Sequence, residues 1–256
     1  MLTKPGSVMI RSLIICTLLT ALFTGIVPAL AQQSICGEKP TIYLDIGHSV
    51  KDFGSTSARG KPEYFFNSRL VRSISAALRR QGKFDVKIIN ATGNNIPLRH
   101  RANTISGLSS GILISIHHDS VKERYLKSWI FRGKETSYSD KFRGYSLFVS
   151  GRSPSYKESK KLAQQLGAQF KRSGMRRSLH HADNIPGERR PLLNASIGIY
   201  RFDNLAILKR ARIPAVLVEA GIIINRQEEL VLETLRFRNT FTKALLQSVN
   251  AYCQLN

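Results

Sequence analysis

The chain has 256 residues and a formal net charge of +22 at pH 7, from 39 Lys and Arg against 17 Asp and Glu. Because these cations are spread along the sequence, we expect a surface that attracts polyanions such as nucleic acid, anionic lipid or an acidic wall polymer. The sequence has no internal repeat or low-complexity linker, which argues against a repeat array or a multi-domain chain and predicts a single domain.

Residues 1–31 have the order of a secretory signal peptide. Lys4 and Arg11 precede the apolar run SLIICTLLTALFTGIVPALA, which closes on a small-x-small site, Ala-Leu-Ala at 29–31. The apolar run is nearly long enough to span a bilayer, so an uncleaved membrane anchor is the alternative. A helix-breaking proline and a good cleavage site favour cleavage before Gln32. We therefore expect a periplasmic or otherwise exported protein. For such a protein, we expect the polyanionic partner to be a wall polymer or a membrane and not nucleic acid.

Residues 32–256 remain after cleavage, enough for one α/β domain with a substantial core. Cys36 and Cys253 lie near the two ends of this part. In an exported chain such a pair predicts a disulfide that ties the ends together. Two unpaired buried thiols are the alternative, because the sequence carries no information about the distance between them.

Strand-like and helical patterns alternate along the rest of the chain. Runs of apolar and β-branched residues predict strands at 41–46, 84–90, 111–117, 145–149, 199–202 and 213–219. Apolar residues at helical spacing predict three helices between or after them, marked by Phe66, Leu70, Ile74 and Leu78, by Leu162, Leu166 and Phe170, and by Phe241, Leu245, Val249 and Tyr252. This alternation predicts an α/β fold, a single twisted and mostly parallel sheet with helices on both faces.

Polar residues with metal or proton chemistry follow three of these strands. One strand ends at His48, the run GILISIHHDS ends at His117-His118-Asp119, and the run IPAVLVEAG ends at Glu219. Glu63 precedes the first helix, which we expect to start near Tyr64. Each residue alone is more often a satisfied polar group, a helix-dipole carboxylate or a salt-bridge partner. Together, however, they lie where an α/β sheet gathers its ligand sites, at the carboxyl ends of the strands. Two histidines and two carboxylates fit a zinc site with three ligands, an open position and a general base.

The motifs around these residues resemble the zinc-dependent N-acetylmuramoyl-L-alanine amidases of the amidase-3 type. The resemblance rests on LDIGHS, ARGKPEYFFN, LISIHHD and IPAVLVEAGIIINRQEE, and it extends in order from about Thr41 to the final helix. It implies that His48, Glu63 and His117 bind one zinc ion and that Glu219 is the catalytic glutamate. The last motif is long and specific, whereas Gly-His alone would be a weak signal.

The sequence departs from the family pattern at several positions. The first motif usually reads D-P-G-H-G-G, but here isoleucine replaces the proline and Ser49-Val50 replaces the glycine pair. Tyr64 stands where the family usually has Lys, and Ile222 stands where it often has Phe. These changes predict a divergent branch with altered pocket contacts. His118 competes with His117 as a ligand, but strand alternation puts the two on opposite sides of the sheet.

The resemblance implies hydrolysis of the amide between N-acetylmuramic acid and L-alanine in peptidoglycan, with zinc activating water and Glu219 moving the proton. The turn-rich segment 176–198 is either a loop over this site, with His181, Glu188 and Arg189 as candidate substrate contacts, or an ordinary solvated loop. Related enzymes can block their zinc site with a helix that a partner protein removes, so an activator is one expected partner. We expect a monomer that binds no nucleic acid.

Two other functions fit parts of the pattern. A zinc peptidase would cut within the stem peptide instead of at its junction with the glycan. A non-catalytic wall-binding protein would use only its positive charge, but the presence of all four site residues argues against it. Export and the lack of an aromatic-lined basic motif make a nucleic-acid binder a poor interpretation.

Overall fold

The computed structural model describes residues 1–3, 36–94 and 96–254. The chain divides into two units, 1–32 and 33–256, and the fold described below belongs to the second. The signal peptide and cleavage site expected at 1–31 lie outside the described residues, apart from the first three. Among the described helices, none combines the length and apolarity needed to cross a membrane.

The elements follow one another in an α/β order. They are β1 (Thr41–Ile46), α1 (Glu63–Gln81), β2 (Asp85–Ile89), α2 (Leu98–Ser106), β3 (Ile112–Asp119), β4 (Lys127–Phe131), β5 (Lys134–Tyr138), β6 (Ser146–Val149), α3 (Tyr156–Arg172), β7 (Leu192–Asn194), β8 (Ile199–Arg201), α4 (Ala206–Arg210), β9 (Ala215–Ile222), α5 (Arg226–Leu232) and α6 (Leu235–Cys253). Two short 3-10 turns, Glu123–Tyr125 and His180–Ala182, lie between them.

Seven of the strands form one sheet in the order β2-β1-β3-β9-β6-β8-β7. The neighbours from β2 to β9 are parallel, and so are β6 and β8, whereas β6 runs antiparallel to β9 and β7 antiparallel to β8. The predicted mostly parallel sheet is therefore confirmed. Because β1, β3 and β9 are adjacent and parallel, their carboxyl ends meet at one edge.

Helices cover both faces of the sheet, as predicted. On β3 the side chains alternate, so that Ile112, Ile114 and Ile116 pack with α1, α3 and α6, while Leu113 packs with α2 and α4 on the other face. The apolar residues that predicted the three long helices are buried, each worth about 1.5–3 kcal/mol of transfer free energy. The two apolar clusters thus hold the strands rigidly in register behind the functional edge.

Cys36 and Cys253 form a disulfide, with their Cα atoms 5.1 Å apart. The bond joins the chain just before β1 to the last turn of α6. The expectation of a bridge between the two ends is confirmed, and the alternative of two free thiols is wrong.

One strand of the sheet and a separate two-stranded hairpin differ from the sequence prediction. Strand β9 does not end at Glu219 but continues to Ile222, because Ala220, Gly221 and Ile222 stay buried and keep the sheet ladder going. The hairpin β4–β5 was not predicted, because both strands have only five residues and β5 is mostly polar. Its local signal was the two-residue turn Arg132-Gly133, whose φ angles of 51° and 77° suit a tight hairpin.

Candidate functional site

Three of the sequence-predicted site residues converge at the edge formed by β1 and β3. His48 follows β1, Glu63 is the first residue of α1, and His117 lies near the end of β3. Glu63 Oε2 is 3.3 Å from His48 Nε2, and Glu63 Oε1 is 3.1 Å from His117 Nδ1. One nitrogen or oxygen from each residue lies within 4.8 Å of those of the other two. The three side chains can therefore contact a single metal ion.

Two glycines leave the space that this cluster needs. A Cβ atom on Gly47 would lie 2.5 Å from the ring of His117, so the residue before His48 has to lack a side chain. A Cβ atom on Gly54, whose φ is +76°, would lie 2.5 Å from both Glu63 Oε2 and the ring of His48. His48 itself has φ 66°, a left-handed conformation that turns the chain sharply after β1. The Gly-His pair at the strand end is thus a packing requirement of the cluster.

Backbone and side-chain donors fix the orientation of Glu63. Its Oε2 accepts a hydrogen bond from the Ser55 N–H at 3.0 Å, and its Oε1 accepts from Asn67 Nδ2 at 3.1 Å and from the His118 N–H at 3.3 Å. Burial alone would raise the pKa of this carboxyl, but hydrogen bonds and charge from the two cluster histidines lower the pKa well below 4.5. Glu63 is therefore ionised at neutral pH, as a metal ligand has to be.

His118 lies outside the cluster and is buried. Its Nδ1 is 2.7 Å from Asn67 Oδ1, and its ring packs against Phe66. Burial lowers the pKa of His118 to about 3, so the ring is neutral. The side chain links β3 to α1, and of the two adjacent histidines it is His117 that faces Glu63.

Glu219 lies on β9 directly beside His117, its register partner on β3. Its Oε2 is shielded from solvent and has no hydrogen-bond partner among the residues that the structure describes. Burial, followed by the negative charges of Asp119 and Glu63, raises the pKa of Glu219 well above 4.5. A buried carboxyl oxygen without a partner costs free energy, which marks this position as one kept for chemistry and not for stability.

Glu219 opens onto a cavity of about 280 Å³. Apolar side chains from β6, β9 and the segment after β8 form one part of its wall. The charged and titratable residues of the wall are Asp119, Lys122, His181, Glu188, Arg190 and Glu219. The cavity can hold a polar, partly anionic group next to the Glu219 carboxyl.

The segment 176–198 forms the outer wall of this cavity. Of the three candidate substrate contacts that the sequence indicated, His181 and Glu188 line the cavity, whereas Arg189 is exposed with φ 59° and lies outside the cavity lining. Its neighbour Arg190 lines the cavity instead, with its guanidinium 3.7 Å from the centre of the Phe202 ring. The sequence alone could not show which of these two consecutive arginines lines the cavity. Across 176–198, all of which is described, there is no α-helix.

Asp119 takes part in the site although the sequence suggested no role for it. It ends β3, lines the cavity and lies 2.8 Å from His181, which also contacts Glu188 at 2.9 Å. Burial lowers the pKa of His181, but the two carboxylates outweigh it and raise this pKa to about 9. Only the tertiary fold brings together these residues, which are 62 and 7 positions apart in the chain.

Comparison with known proteins adds to this geometry. A family model described as "Amidase_3: N-acetylmuramoyl-L-alanine amidase" matches residues 42–251. "N-acetylmuramoyl-L-alanine amidase AmiA" of Escherichia coli (strain K12) is 24% identical over 224 residues, which cover 84% of this chain and 77% of that protein. The residues matched by the family model, 42–251, include all four site residues that the sequence indicated.

Solved structures show the same fold. The crystal structure of an N-acetylmuramoyl-L-alanine amidase from Clostridium difficile 630 superposes with a TM-score of 0.65 at 20% identity, covering 86% of this chain and 100% of that chain. The CwlD amidase from Clostridioides difficile, solved in complex with the GerS lipoprotein, gives a TM-score of 0.61 at 18% identity, covering 85% and 100%. At these identities the likeness establishes the architecture alone.

Proposed function

The chain belongs to the N-acetylmuramoyl-L-alanine amidase family, and we propose that it cleaves peptidoglycan with one zinc ion held by His48, Glu63 and His117. The bond cut by such an amidase joins the lactyl group of N-acetylmuramic acid to L-alanine of the stem peptide. The observation that carries the proposal is the convergence of three ligand atoms within 4.8 Å beside the unpartnered Glu219 carboxyl.

The residues present fit a zinc ion. Two imidazole nitrogens and one carboxylate oxygen form the donor set of many catalytic zinc sites, which keep a further position open. Glu63 is ionised before any metal binds, and Gly47 and Gly54 leave the ligands their space. When bound, zinc supplies a Lewis acid that polarises an amide carbonyl and activates water at neutral pH.

Glu219 is the general base and acid in this proposal. It takes a proton from the attacking water as the oxygen bonds to the lactyl carbonyl carbon. It then gives that proton to the alanine nitrogen as the carbon–nitrogen bond breaks, which leaves a free amine and a lactyl carboxylic acid that loses its remaining proton to solvent. A carboxyl with a raised pKa is suited to both steps, because it holds a proton more firmly than an ordinary carboxylate and can still release it to the leaving amine.

The cavity wall supplies groups for the substrate. Stem peptides carry carboxylates, and we propose that Lys122 and Arg190 attract them to the mouth of the cavity. His181 and Glu188 line the same wall, whereas the exposed Arg189 has no place in it. The apolar part of the wall would exclude water around the amide.

Digestion of purified peptidoglycan sacculi tests the function. The zinc-loaded mature protein is expected to release intact stem peptides with N-terminal L-alanine and to leave glycan with free lactyl carboxyl groups. Mass spectrometry and amino-terminal labelling identify these ends. New amino termini within the stem peptide would instead identify a peptidase, and binding without any new ends would identify a non-catalytic wall protein.

We also propose that the protein acts outside the cytoplasm as a monomer, after cleavage before Gln32. The order of Lys4, Arg11 and the apolar run supports export, and the substrate lies outside the cytoplasmic membrane. N-terminal sequencing of the exported protein is expected to start at Gln32. A membrane-retained product that still carries residues 1–31 would contradict the cleavage.

A further inference from the structure

We propose that Asp119, His180 and His181 form a second site for a divalent transition-metal cation, separate from the His48 cluster. Ligand atoms from these three residues lie within 4.8 Å of one another. They come from two different parts of the fold, the end of β3 and the segment 176–198. The inference does not depend on which bond the enzyme cuts.

Both histidines approach the same carboxylate oxygen. His181 Nε2 lies 2.8 Å from Asp119 Oδ2, and His180 Nε2 lies 3.3 Å from that oxygen. The two rings lie close together, with their centres 3.9 Å apart and their planes inclined by 37°. Two imidazole nitrogens and a carboxylate oxygen therefore lie close enough together to contact one cation.

The state of His180 is the observation that points to a ligand. The residue is only 2% exposed, and its Nε2 has no hydrogen-bond partner within the part of the chain that the structure describes. The 3.3 Å approach to Asp119 has ion-pair distance but not hydrogen-bond geometry. A buried nitrogen left in this condition costs on the order of 1–3 kcal/mol, and a cation bound between the two groups would remove that cost.

The Nδ1 atoms of both rings, which lie away from Asp119 and are called the outer nitrogens, already have partners. Ser178 Oγ lies 2.8 Å from His180 Nδ1, and Glu188 Oε2 lies 2.9 Å from His181 Nδ1. A metal-binding histidine typically uses its second ring nitrogen in this way, which fixes the tautomer and the ring orientation. The contacts hold the two Nε2 atoms in place as ligands.

A protonated His181 between two carboxylates is the competing explanation. It accounts for the contacts of His181 with Asp119 and Glu188, but it leaves His180 Nε2 without a partner. It also gives no reason for Ser178 to orient the His180 ring. A shared cation accounts for both histidines and for both outer contacts.

The donor set indicates the class of cation. Imidazole nitrogens with one carboxylate favour zinc and its neighbours among the transition metals over magnesium or calcium, which prefer oxygen ligands. Asp119 and His181 line the cavity, so an open coordination position would face it. The cation would fasten the segment 176–198 to the sheet and so shape the wall opposite Glu219.

Metal stoichiometry tests the site without any measurement of activity. Metal-stripped mature protein is titrated with Zn²⁺ in a calorimeter, and the metal retained after desalting is measured by elemental analysis. Wild type is expected to bind two equivalents. His48→Ala and Asp119→Asn are each expected to bind one, and His100→Ala, which changes an exposed histidine of α2, is expected to keep two. A wild-type protein that binds one equivalent would overturn the proposal.

A second measurement protects the test against misfolding of a variant. Hydrogen exchange of residues 176–198 is expected to slow when Zn²⁺ is added to wild type or to His48→Ala, but not when it is added to Asp119→Asn. Ser178→Ala, which removes only the outer contact of His180, should weaken the second equivalent by about 10- to 100-fold. Equal protection in Asp119→Asn would refute the site. Loss of sacculus hydrolysis alone would count against the proposed amidase reaction and not against this cation.

Discussion

At the scale of single residues, we expect metal binding to depend on His48 and proton transfer to depend on Glu219. His48 is held in a left-handed conformation beside Glu63, so its side chain serves the cluster. Glu219 contributes no ligand atom to that cluster, its Oε2 has no hydrogen-bond partner among the described residues, and the residue lines the cavity. Removing the first should therefore affect metal binding, and removing the charge of the second should affect proton transfer.

We predict that Glu219→Gln keeps its fold and its zinc while it loses hydrolysis. The amide is close in size to the carboxyl, but it cannot accept a proton from water. General acid–base groups contribute about 100- to 10,000-fold, and the rate of sacculus digestion should fall by at least that range. His48→Ala is the matched comparison and should lose one equivalent of zinc together with the activity. Near wild-type digestion by Glu219→Gln would show that the mechanism is wrong.

The raised pKa of Glu228 predicts how the unfolding free energy depends on pH. Burial raises its pKa to about 7, against hydrogen bonds from the Ile222 and Gly144 N–H groups that lower it. A carboxyl whose folded pKa lies above the unfolded value of 4.5 stabilises the fold fully below pH 4.5, and this stabilisation is lost as pH rises through 7. The loss should be about 2 kcal/mol, discounted because the side chain is partly exposed.

Urea unfolding of wild type and Glu228→Gln between pH 4 and pH 8 checks this expectation. Between pH 4 and pH 8, the unfolding free energy should fall by about 2 kcal/mol less in the variant than in wild type. The comparison uses the slope and not the absolute stability, because an amide cannot accept all the backbone hydrogen bonds that the carboxylate accepts. Parallel pH profiles for the two proteins would contradict the assignment.

At the scale of elements, the disulfide connects the start of the sheet to α6. It closes a sequence separation of 217 residues, and restricting so long a loop in the unfolded chain stabilises the fold by on the order of 4 kcal/mol. We predict that a Cys36→Ser/Cys253→Ser variant loses about this much unfolding free energy in denaturant titrations. Zinc content and digestion should be retained, because neither cysteine lines the cavity. An unchanged denaturation midpoint would disprove the contribution.

The elements also differ in how far the sequence predicted them. The three long helices and six of the strands followed from local spacing, because each buries a continuous apolar face. The extension of β9 beyond Glu219 did not, since a polar residue inside a strand resembles a strand end when its neighbours are unknown. The β4–β5 hairpin was missed because its strands pack by specific contacts, such as the hydrogen bond from Trp129 Nε1 to the Ala58 carbonyl, and not by an apolar face.

At the scale of the whole molecule, the net charge predicts the ionic behaviour of substrate binding; it is +22 for the full sequence, of which Lys4 and Arg11 in the expected signal peptide contribute two. Screening shortens the reach of exposed charges from about 10 Å at 0.1 M salt to about 3 Å at 1 M. Binding of Glu219→Gln to intact sacculi should therefore weaken by about tenfold or more over that range. Sacculi whose carboxyl groups have been amidated are the control and should bind weakly at every salt concentration. Salt-independent binding to native sacculi would contradict an electrostatic contribution.

The sequence by itself determined the fold class and the three long helices, offered the disulfide as one of two options, and indicated four candidate residues for the first site. These depend on local periodicity and on the rule that parallel strands bring their carboxyl ends to one edge. Tertiary structure alone decided that Arg190 and not Arg189 lines the cavity, and that Asp119 meets His180 and His181. The physical reason is that both arrangements depend on the conformation of the loop 176–198, for which apolar spacing carries no signal, and that Asp119 lies 62 positions before His181 in the chain.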